Sequence, residues 1–374
     1  MRRLFVILAL LILGIAPAPA GAAELVAAFE DDGNDASGPG SYRKPGDSDI
    51  VDGDFDLRRF EVWRDGDDVL FKVTMGAPFR EPDVTARTMR TPLPLWNHIF
   101  LQNIDIYIDS DPASAAGFTA CIPGRRVAFP VGRTWKTAVV LTPQPGPAAA
   151  VTEDALGEAA RHILFPQKLL ATGRTITARV PQKALGGPPR PGWAYSVHVS
   201  GARWERSFEV VERVAHGKPE PDAFTMPIRS VGEAWAFGGA PEGTSYPRVI
   251  DVLLPRGVDQ KAVLGAFGNP PGAYARVPFV SLQAAPTARA PAAPPGPAVP
   301  ALTIADVSDE TVTLAGPTAG LRSMMIGRVV GPGGAVVGHV VVVRVVEGGI
   351  IATASDGGDQ MKPGFAVQFD APTP

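Results

Sequence analysis

The feature that most constrains this chain is a repeated pattern of short alternating segments separated by turn residues. In residues 104–109 isoleucine occupies every even position, and polar or aromatic residues occupy the odd positions. Successive side chains of a β-strand point to opposite faces, so this period of two predicts strands with one apolar face. The tripeptide Asp65-Gly66-Asp67 separates two further segments of this kind and predicts a hairpin turn. Many short strands with turns between them predict an all-β chain that folds as an antiparallel sandwich or barrel.

The same reasoning assigns the other elements of this region. The apolar positions change phase between Leu57 and Phe60, which predicts a β-bulge. Helical patterns are few. They predict short helices at 154–164 and 259–267, the second with Asp259 as its N-cap. Further strands are predicted at 134–141, 175–180, 194–199 and 207–211.

A proline-rich segment divides the chain into two folded regions. Residues 286–300 contain six prolines in fifteen positions, a composition that predicts a semi-rigid extended linker. It separates the predicted sandwich, residues 23–285, from a second unit at 301–374, predicted to be a small β-barrel-like domain of about five strands. Within this unit the valine-rich segment 339–346 would form an aggregation-prone edge unless it is central, with Arg344 as an interrupting charge. Its strands are predicted at 311–314, 325–330, 336–346, 349–354 and 365–369.

The first 22 residues have the pattern of a secretory signal peptide. Two arginines precede an apolar run at 4–15, and Ala20 and Ala22 form an A-x-A cleavage signal. The run is shorter than the roughly 20 apolar residues that span a bilayer, and prolines follow it. We therefore expect cleavage of residues 1–22, a periplasmic or secreted protein, and no membrane span after cleavage.

Composition excludes several classes of function. The lone cysteine, Cys121, excludes an intrachain disulfide framework and any multi-cysteine metal site, and we expect it to be a small buried apolar residue. A formal charge of −3 gives no electrostatic reason to expect nucleic-acid binding. The sequence contains no H-E-x-x-H, G-x-S-x-G or P-loop motif, and His198, inside a strand pattern, is expected on a strand surface or satisfied in the core. Carboxylate pairs for glycoside hydrolysis need not be close in sequence, so glycosidase activity stays open.

Acidic residues are concentrated near the start of the predicted sandwich. Residues 30–35 carry four carboxylates beside a glycine, and a second group of aspartates follows at 47–56. Hard oxygen ligands on a glycine-containing loop suit Ca²⁺, which takes six to eight oxygens in flexible geometry. The alternative interpretation is a solvated acidic loop, since EF-hand spacing is absent.

Several motifs in this order resemble a known family. The segment 31–45 begins with an aspartate-rich stretch and ends with Gly38-Pro39-Gly40-Ser41-Tyr42-Arg43-Lys44-Pro45. Together with the segments named next, they resemble the C-terminal binding module of glucodextranase from about residue 29 to residue 279. The further segments are 53–62, 104–109, 122–125, 192–197, 237–239 and 247–253 with Gln260.

The resemblance implies a sandwich akin to family 9 carbohydrate-binding modules and the DOMON group, without a catalytic role of its own. It also implies calcium-braced loops, with Asp31, Asp35 and Asp56 as candidate ligands. At position 36 this chain has alanine where the family usually has a carboxylate, while Asp32 adds a carboxylate nearby.

Carbohydrate binding requires flat aromatic faces and polar partners for hydroxyl groups. Trp96 and the adjacent Asn97 follow a proline-rich turn, and Trp204 is flanked by charged residues, so these three are predicted to contact sugar. Each tryptophan could instead be ordinary packing. Three other tryptophans lie in strand patterns and are predicted to be core: Trp63, Trp135 and Trp193.

Three functions therefore remain open. The first is an exported, non-catalytic protein that binds polysaccharide, either an α-glucan or a cell-envelope glycan. The second is electron transfer through non-covalent haem, for which Met75, Met89 and His98 are available ligands. The third is a structural envelope or assembly protein in which residues 301–374 dock on a protein partner.

Overall fold

The computed structural model describes residues 23–80, 98–203, 224–269, 272–282, 302–308, 311–318, 321, 326–346, 349–356 and 360–369. The predicted signal peptide, the strand at 207–211 and the linker at 286–300 lie outside these residues, so they stay predictions.

The described part of residues 23–282 is a strand-rich sandwich region. Its helices are α1 (Pro145–Leu156) and α2 (Gln260–Gly265), with short 3-10 turns at Gly157–His162 and Gln182–Leu185. Its strands are, in chain order, β1 (Glu24–Glu30), β2 (Leu57–Asp65), β3 (Asp68–Met75), β4 (Gln102–Asp109), β5 (Val127–Ala128), β6 (Thr137–Leu141), β7 (Ile163–Leu164), β8 (Leu169–Thr172), β9 (Thr175–Pro181), β10 (Ala194–Gly201), β11 (Asp251–Val252), β12 (Ala275–Arg276) and β13 (Val280–Ser281).

Two sheets form the sandwich. The first has the order β1-β2-β3-β9-β8, and all its neighbours are antiparallel. The second has the order β11-β10-β4-β6-β7, with β13 also paired to β10 and only β6–β7 parallel. The predicted hairpin is confirmed, because Asp65 pairs with Asp68 around Gly66, whose φ is +59°. The predicted bulge is confirmed by a register shift between Leu57 and Arg59.

Aromatic residues fill the space between the two sheets. Phe60 of β2 stacks on Phe71 of β3 at 6.1 Å and meets Tyr195 of β10 edge-on at 5.5 Å. The three isoleucines of β4 join this core, as their alternation predicts. Such tight aromatic packing couples the sheets, because each ring removes a large apolar area from water.

The second sheet is buried on its other face as well. Every residue of β4 and β10 is buried. Tyr107 of β4 packs there with Phe129 and Trp135, beneath a layer that includes the end of α1 and Leu264 of α2. The alternation correctly predicts which residues share a face, but both faces of this strand turn out to be interior.

The helices differ in how well the sequence predicts them. The predicted Asp259 cap is confirmed, since its carboxylate accepts from the Lys261 amide at 3.1 Å. The helix predicted at 154–164 instead occupies Pro145–Leu156. Proline is tolerated in a first helical turn, and Gly157 ends the helix at a φ of +52°. No helix in the described part of the chain is long and apolar enough to cross a membrane.

The described residues between 302 and 369 form a six-stranded ring. Its strands are β14 (Leu302–Ser308), β15 (Thr311–Ala315), β16 (Ile326–Val330), β17 (Val336–Val346), β18 (Gly349–Asp356) and β19 (Ala366–Phe369). The strand order is β14-β15-β18-β17-β16-β19, and β19 pairs back to β14. The sequence missed β14, which directly follows the proline-rich segment and closes the ring. The valine-rich β17 is central, paired on both sides, and Arg344 on it is exposed.

The aromatic core predicts a large cost for truncating its central ring. We expect Phe60→Ala to lower the free energy of unfolding by about 3–5 kcal/mol, because it leaves a cavity between the two sheets. All six tryptophans precede residue 236, so tryptophan fluorescence during urea unfolding follows the sandwich region without the barrel. Val131, which is 73% exposed, gives the control Val131→Ala, expected to change stability by less than about 0.5 kcal/mol. Equal effects of the two variants would contradict this packing.

Candidate acidic site

Three carboxylates meet where the loop after β1 packs against β11. Asp31 and Asp35 lie in that loop, and Asp251 begins β11. Oxygens of all three lie within 4.8 Å of one another. Two backbone bonds hold the loop in place, from the Asp31 amide to the Arg58 carbonyl at 3.0 Å and from the Gly38 amide to the Ile250 carbonyl at 2.8 Å.

The three carboxylates differ in their partners. Asp251 is fully buried, and its two oxygens accept from the amides of Leu57 at 2.7 Å and Val252 at 2.8 Å. In contrast, Oδ2 of Asp31 and Oδ1 of Asp35 are enclosed and have no hydrogen-bond partner. Buried polar atoms are normally paired, so these two oxygens indicate a missing donor or cation.

Burial and mutual repulsion favour the protonated forms of this group. Burial, and secondly the charge of Asp35, raise the pKa of Asp31 to about 8. Burial raises the pKa of Asp35 to about 6. Burial, followed by the charge of Asp31, raises the pKa of Asp251 well above its ordinary value. Three charges so close together must take up protons or be neutralised by a cation.

Asp56, the third predicted ligand, lies beside this group and has other partners. Its Oδ1 accepts from the Asn34 amide at 3.0 Å, and its Oδ2 forms an ion pair with Arg58. Arg58 also donates to the Asn34 side chain at 3.0 Å. Asp56 therefore holds the loop that carries Asp31 and Asp35, while Asp251 supplies the third oxygen of the group.

Asp251 was not predicted as a ligand, although the sequence contained a signal for it. It lies in the closing motif of the family resemblance, together with Gln260. The Gln260 side chain accepts from the Val252 amide at 2.9 Å and donates to the Asp35 carbonyl at 2.7 Å. The two ends of the resemblance thus meet in one hydrogen-bonded site.

The predicted sugar-contacting residues Trp96, Asn97 and Trp204 all lie outside the described residues, and they stay predictions. Next to them, the Nδ1 atom of His98 accepts from the Ala171 amide at 3.2 Å.

The tryptophans predicted to be core divide into two groups. Trp135 and Trp193 are buried, as predicted. Trp63 is not in the core. It is half-buried on the outer face of the first sheet, where the Lys72 ammonium lies 4.1 Å from its ring centroid. The period of two reverses at the bulge in β2, which turns Phe60 and Val62 inwards and Trp63 outwards.

A second cluster of polar side chains lies under the outer layer of the second sheet. The Arg125 guanidinium donates to both oxygens of the buried Asp105, at 2.6 and 3.2 Å, and to the Thr225 hydroxyl at 2.7 Å. Nearby, the sulfur of Cys121 lies 3.7 Å from Nδ1 of His198.

The chemistry of this Cys121–His198 pair is that of a structural contact. Burial raises the pKa of the Cys121 thiol well above its ordinary value and lowers the pKa of His198 to about 4. Both groups are therefore neutral near pH 7, so the thiol is not activated as a nucleophile. Nε2 of His198 pairs with the Ser196 hydroxyl at 2.9 Å, which confirms the satisfied-core interpretation.

The haem ligands considered in the sequence do not converge in the described residues. Met75 is fully buried in the core between the two sheets, and His98 is engaged by the Ala171 amide. Met89 lies outside the described residues.

The family described as the SLH-like C-terminal binding module of glucodextranase matches residues 26–279. The chain belongs to this family. The match confirms the resemblance seen in the sequence and covers the sandwich region through β12, while the barrel lies beyond it. No curated protein matches the chain.

The carboxylate group predicts a distinct pH dependence in the absence of cations. The folded state favours protonated Asp31, so it binds more protons than the unfolded state, and stability must fall as pH rises. We expect the melting temperature in chelator to fall between pH 7.5 and 8.5. Over this range His198, whose pKa is lowered in the folded state and ordinary in the unfolded state, is largely uncharged in both.

The matched variants of this experiment are Asp31→Asn and Asp32→Asn, measured by tryptophan fluorescence. Asp32 is exposed in the same loop and is a lesser cause of the raised pKa of Asp31, so its variant should change the slope much less than Asp31→Asn does. Asp31→Asn should reduce the slope, because it removes one titrating carboxylate and also the charge that raises the pKa of Asp251. A wild-type melting temperature that is constant across this range would contradict the assignment.

Proposed function

We propose that this chain is an exported, non-catalytic protein that binds polysaccharide, either an α-glucan or a cell-envelope glycan, through loops braced by calcium. Membership of a binding-module family over residues 26–279 is the observation that carries this proposal. The predicted signal peptide at 1–22 supports export to the periplasm or the medium.

The calcium proposal rests on the chemistry of the acidic site. Asp31, Asp35 and Asp251 would supply three hard oxygen ligands, two of which lack any other partner. Carboxylates and other hard oxygen donors suit Ca²⁺, Mg²⁺ or Mn²⁺, and the flexible geometry of Ca²⁺ best tolerates an irregular loop. The bound charge would replace the protons that these carboxylates otherwise retain.

The position of the site explains what the ion would do. Asp31 and Asp35 belong to the first loop of the family region, whereas Asp251 is more than 200 residues later. A cation here would join the two ends of the sandwich and remove the repulsion between their carboxylates. The proposed role is therefore structural, with Asp56 and Arg58 ordering the same loop.

Calcium binding is tested by its effect on thermal stability at pH 8. We expect millimolar Ca²⁺ to raise the melting temperature of the wild-type protein relative to chelator, because only the folded state assembles the site. Asp35→Asn should lose most of this rise, since it removes an unpartnered ligand oxygen. The exposed Asp32→Asn should keep it. The same melting temperature with calcium and with chelator would remove the metal from the proposal.

Polysaccharide binding is tested by native gel electrophoresis with soluble starch or dextran in the gel. We expect the mature full-length chain to be retarded, and Trp96→Ala or Trp204→Ala to reduce the retardation by removing a stacking surface. The control is Val131→Ala, which removes an exposed side chain in the layer beyond the second sheet. Migration unaffected by either glucan, or by a cell-envelope glycan extract, would count against the proposal.

Two alternative functions have separate readouts. A Soret absorbance band in the purified protein would indicate haem and replace the polysaccharide proposal. Residues 301–374 lie beyond the family match, so a protein partner for this unit is proposed independently of the sandwich.

A further inference from the structure

An open cleft lies between α2 and the strand β12. It encloses about 680 Å³ and combines an apolar wall with one aromatic ring and two charged side chains. The wall includes Ala262, Val263 and Ala266, and the other side chains are Tyr274, Asp259 and Arg276. None of these residues was singled out as a sugar contact from the sequence.

We propose that this cleft binds a neutral sugar unit of the polysaccharide, and that the acidic site controls the shape of the cleft through Gln260. The inference rests on the proposed function and assigns it a site. An apolar or aromatic lining with a few oriented polar groups is the usual character of a small-ligand pocket.

The lining matches the two chemical sides of a sugar. A sugar ring presents C–H groups on its faces, which pack on an aromatic ring such as that of Tyr274. Its hydroxyls both donate and accept, so they pair with the acceptor-only Asp259 carboxylate and the donor-only Arg276 guanidinium. One acidic and one basic side chain leave the lining without net charge, which favours a neutral ligand over an anion.

Both charged groups are already held in place. Asp259 caps α2 by accepting from the Lys261 amide, and Nη1 of Arg276 donates to the Phe129 carbonyl at 2.9 Å. Each anchoring bond uses only part of the polar group. A side chain fixed before binding loses less conformational entropy when a ligand arrives, so this anchoring favours affinity.

The cleft is connected to the acidic site through its helical wall. Gln260 is the first residue of α2 and is only 2% exposed. Its side chain bonds to the Asp35 carbonyl and to the amide of Val252, the residue after Asp251. Two of the three clustered carboxylates therefore belong to the segments that hold this end of the helix.

A second contact joins the same loop to the helix. Gly40 has a φ of +92°, and a Cβ placed on it would lie 3.1 Å from Cδ of Lys261. The loop of the Gly-Pro-Gly motif thus packs closely against α2. Movement of this loop, when the carboxylates lose their cation, would be transmitted to the wall of the cleft.

The site is tested by titrating the full-length protein with soluble starch and with dextran, two neutral α-glucans, in calcium. We expect Tyr274→Ala to weaken binding at least tenfold, whereas Tyr274→Phe, which keeps the ring, should stay within about threefold of wild type. Val131→Ala is the surface control. The control for folding is the melting temperature of Tyr274→Ala and its rise in calcium, both of which should equal those of the wild type.

The outcomes separate this inference from the proposed function. If the wild type binds glucan and Tyr274→Ala binds equally well, the cleft is not the site, while the polysaccharide function stands. If the wild type binds neither glucan nor a cell-envelope glycan extract, the inference falls with the function on which it rests. A folded Tyr274→Ala that has lost binding supports the site.

The connection to the acidic site has its own test. We expect the wild-type protein in chelator to bind glucan at least threefold more weakly than it does in calcium. Asp35→Asn, whose cleft residues are unchanged, should show the same loss in calcium. Asp32→Asn should bind as the wild type does. Binding that is unchanged by chelator, although chelator lowers the melting temperature, would overturn the connection through Gln260 and leave the cleft as an independent site.

Discussion

The arrangement of the sandwich region depends on the burial of its second sheet on both faces. One face packs on the first sheet through Phe60, Phe71 and Tyr195. The other face is covered by connecting segments and by α1 and α2. Because polar side chains of β4 and β10 then face an interior, they need internal partners. Asp105 pairs with Arg125, and Ser196 pairs with His198. The same covering layer brings α2 against the loop after β1.

The same layering brings the three carboxylates of the acidic site together, but their charges are not paired as those of other buried carboxylates are. Elsewhere in the interior, Asp105 has Arg125 as a partner, whereas Asp31, Asp35 and Asp251 gather without a matching basic residue among them. Natural proteins depart from complete pairing mainly at functional positions. The family motif residues Asp251 and Gln260 connect this uncompensated charge to α2, and α2 forms one wall of the cleft. Charge, helix and cleft thus form a continuous set of contacts along one side of the module.

The barrel protects the edges of its strands by pairing all of them. A long valine-rich strand such as β17 would attract other chains if one of its edges were free. Here it pairs with β16 and β18, and the ring closes through β14 and β19. The family to which the sandwich belongs does not extend over these residues.

Local periodicity and turn chemistry determined much of this protein from the sequence alone. The faces of β4, the hairpin at Gly66, the bulge after Leu57 and the Asp259 cap depend on residues within a few positions of one another. The family motifs added the sandwich and the candidates Asp31 and Asp35. Tertiary structure decided the rest.

Only tertiary structure placed Asp251 beside Asp31, covered the second face of β4 and closed the barrel with β14. The reason is physical. Contacts between residues some 200 positions apart, and the burial of a second sheet face, are set by how the layers pack, and no local period in the sequence records them.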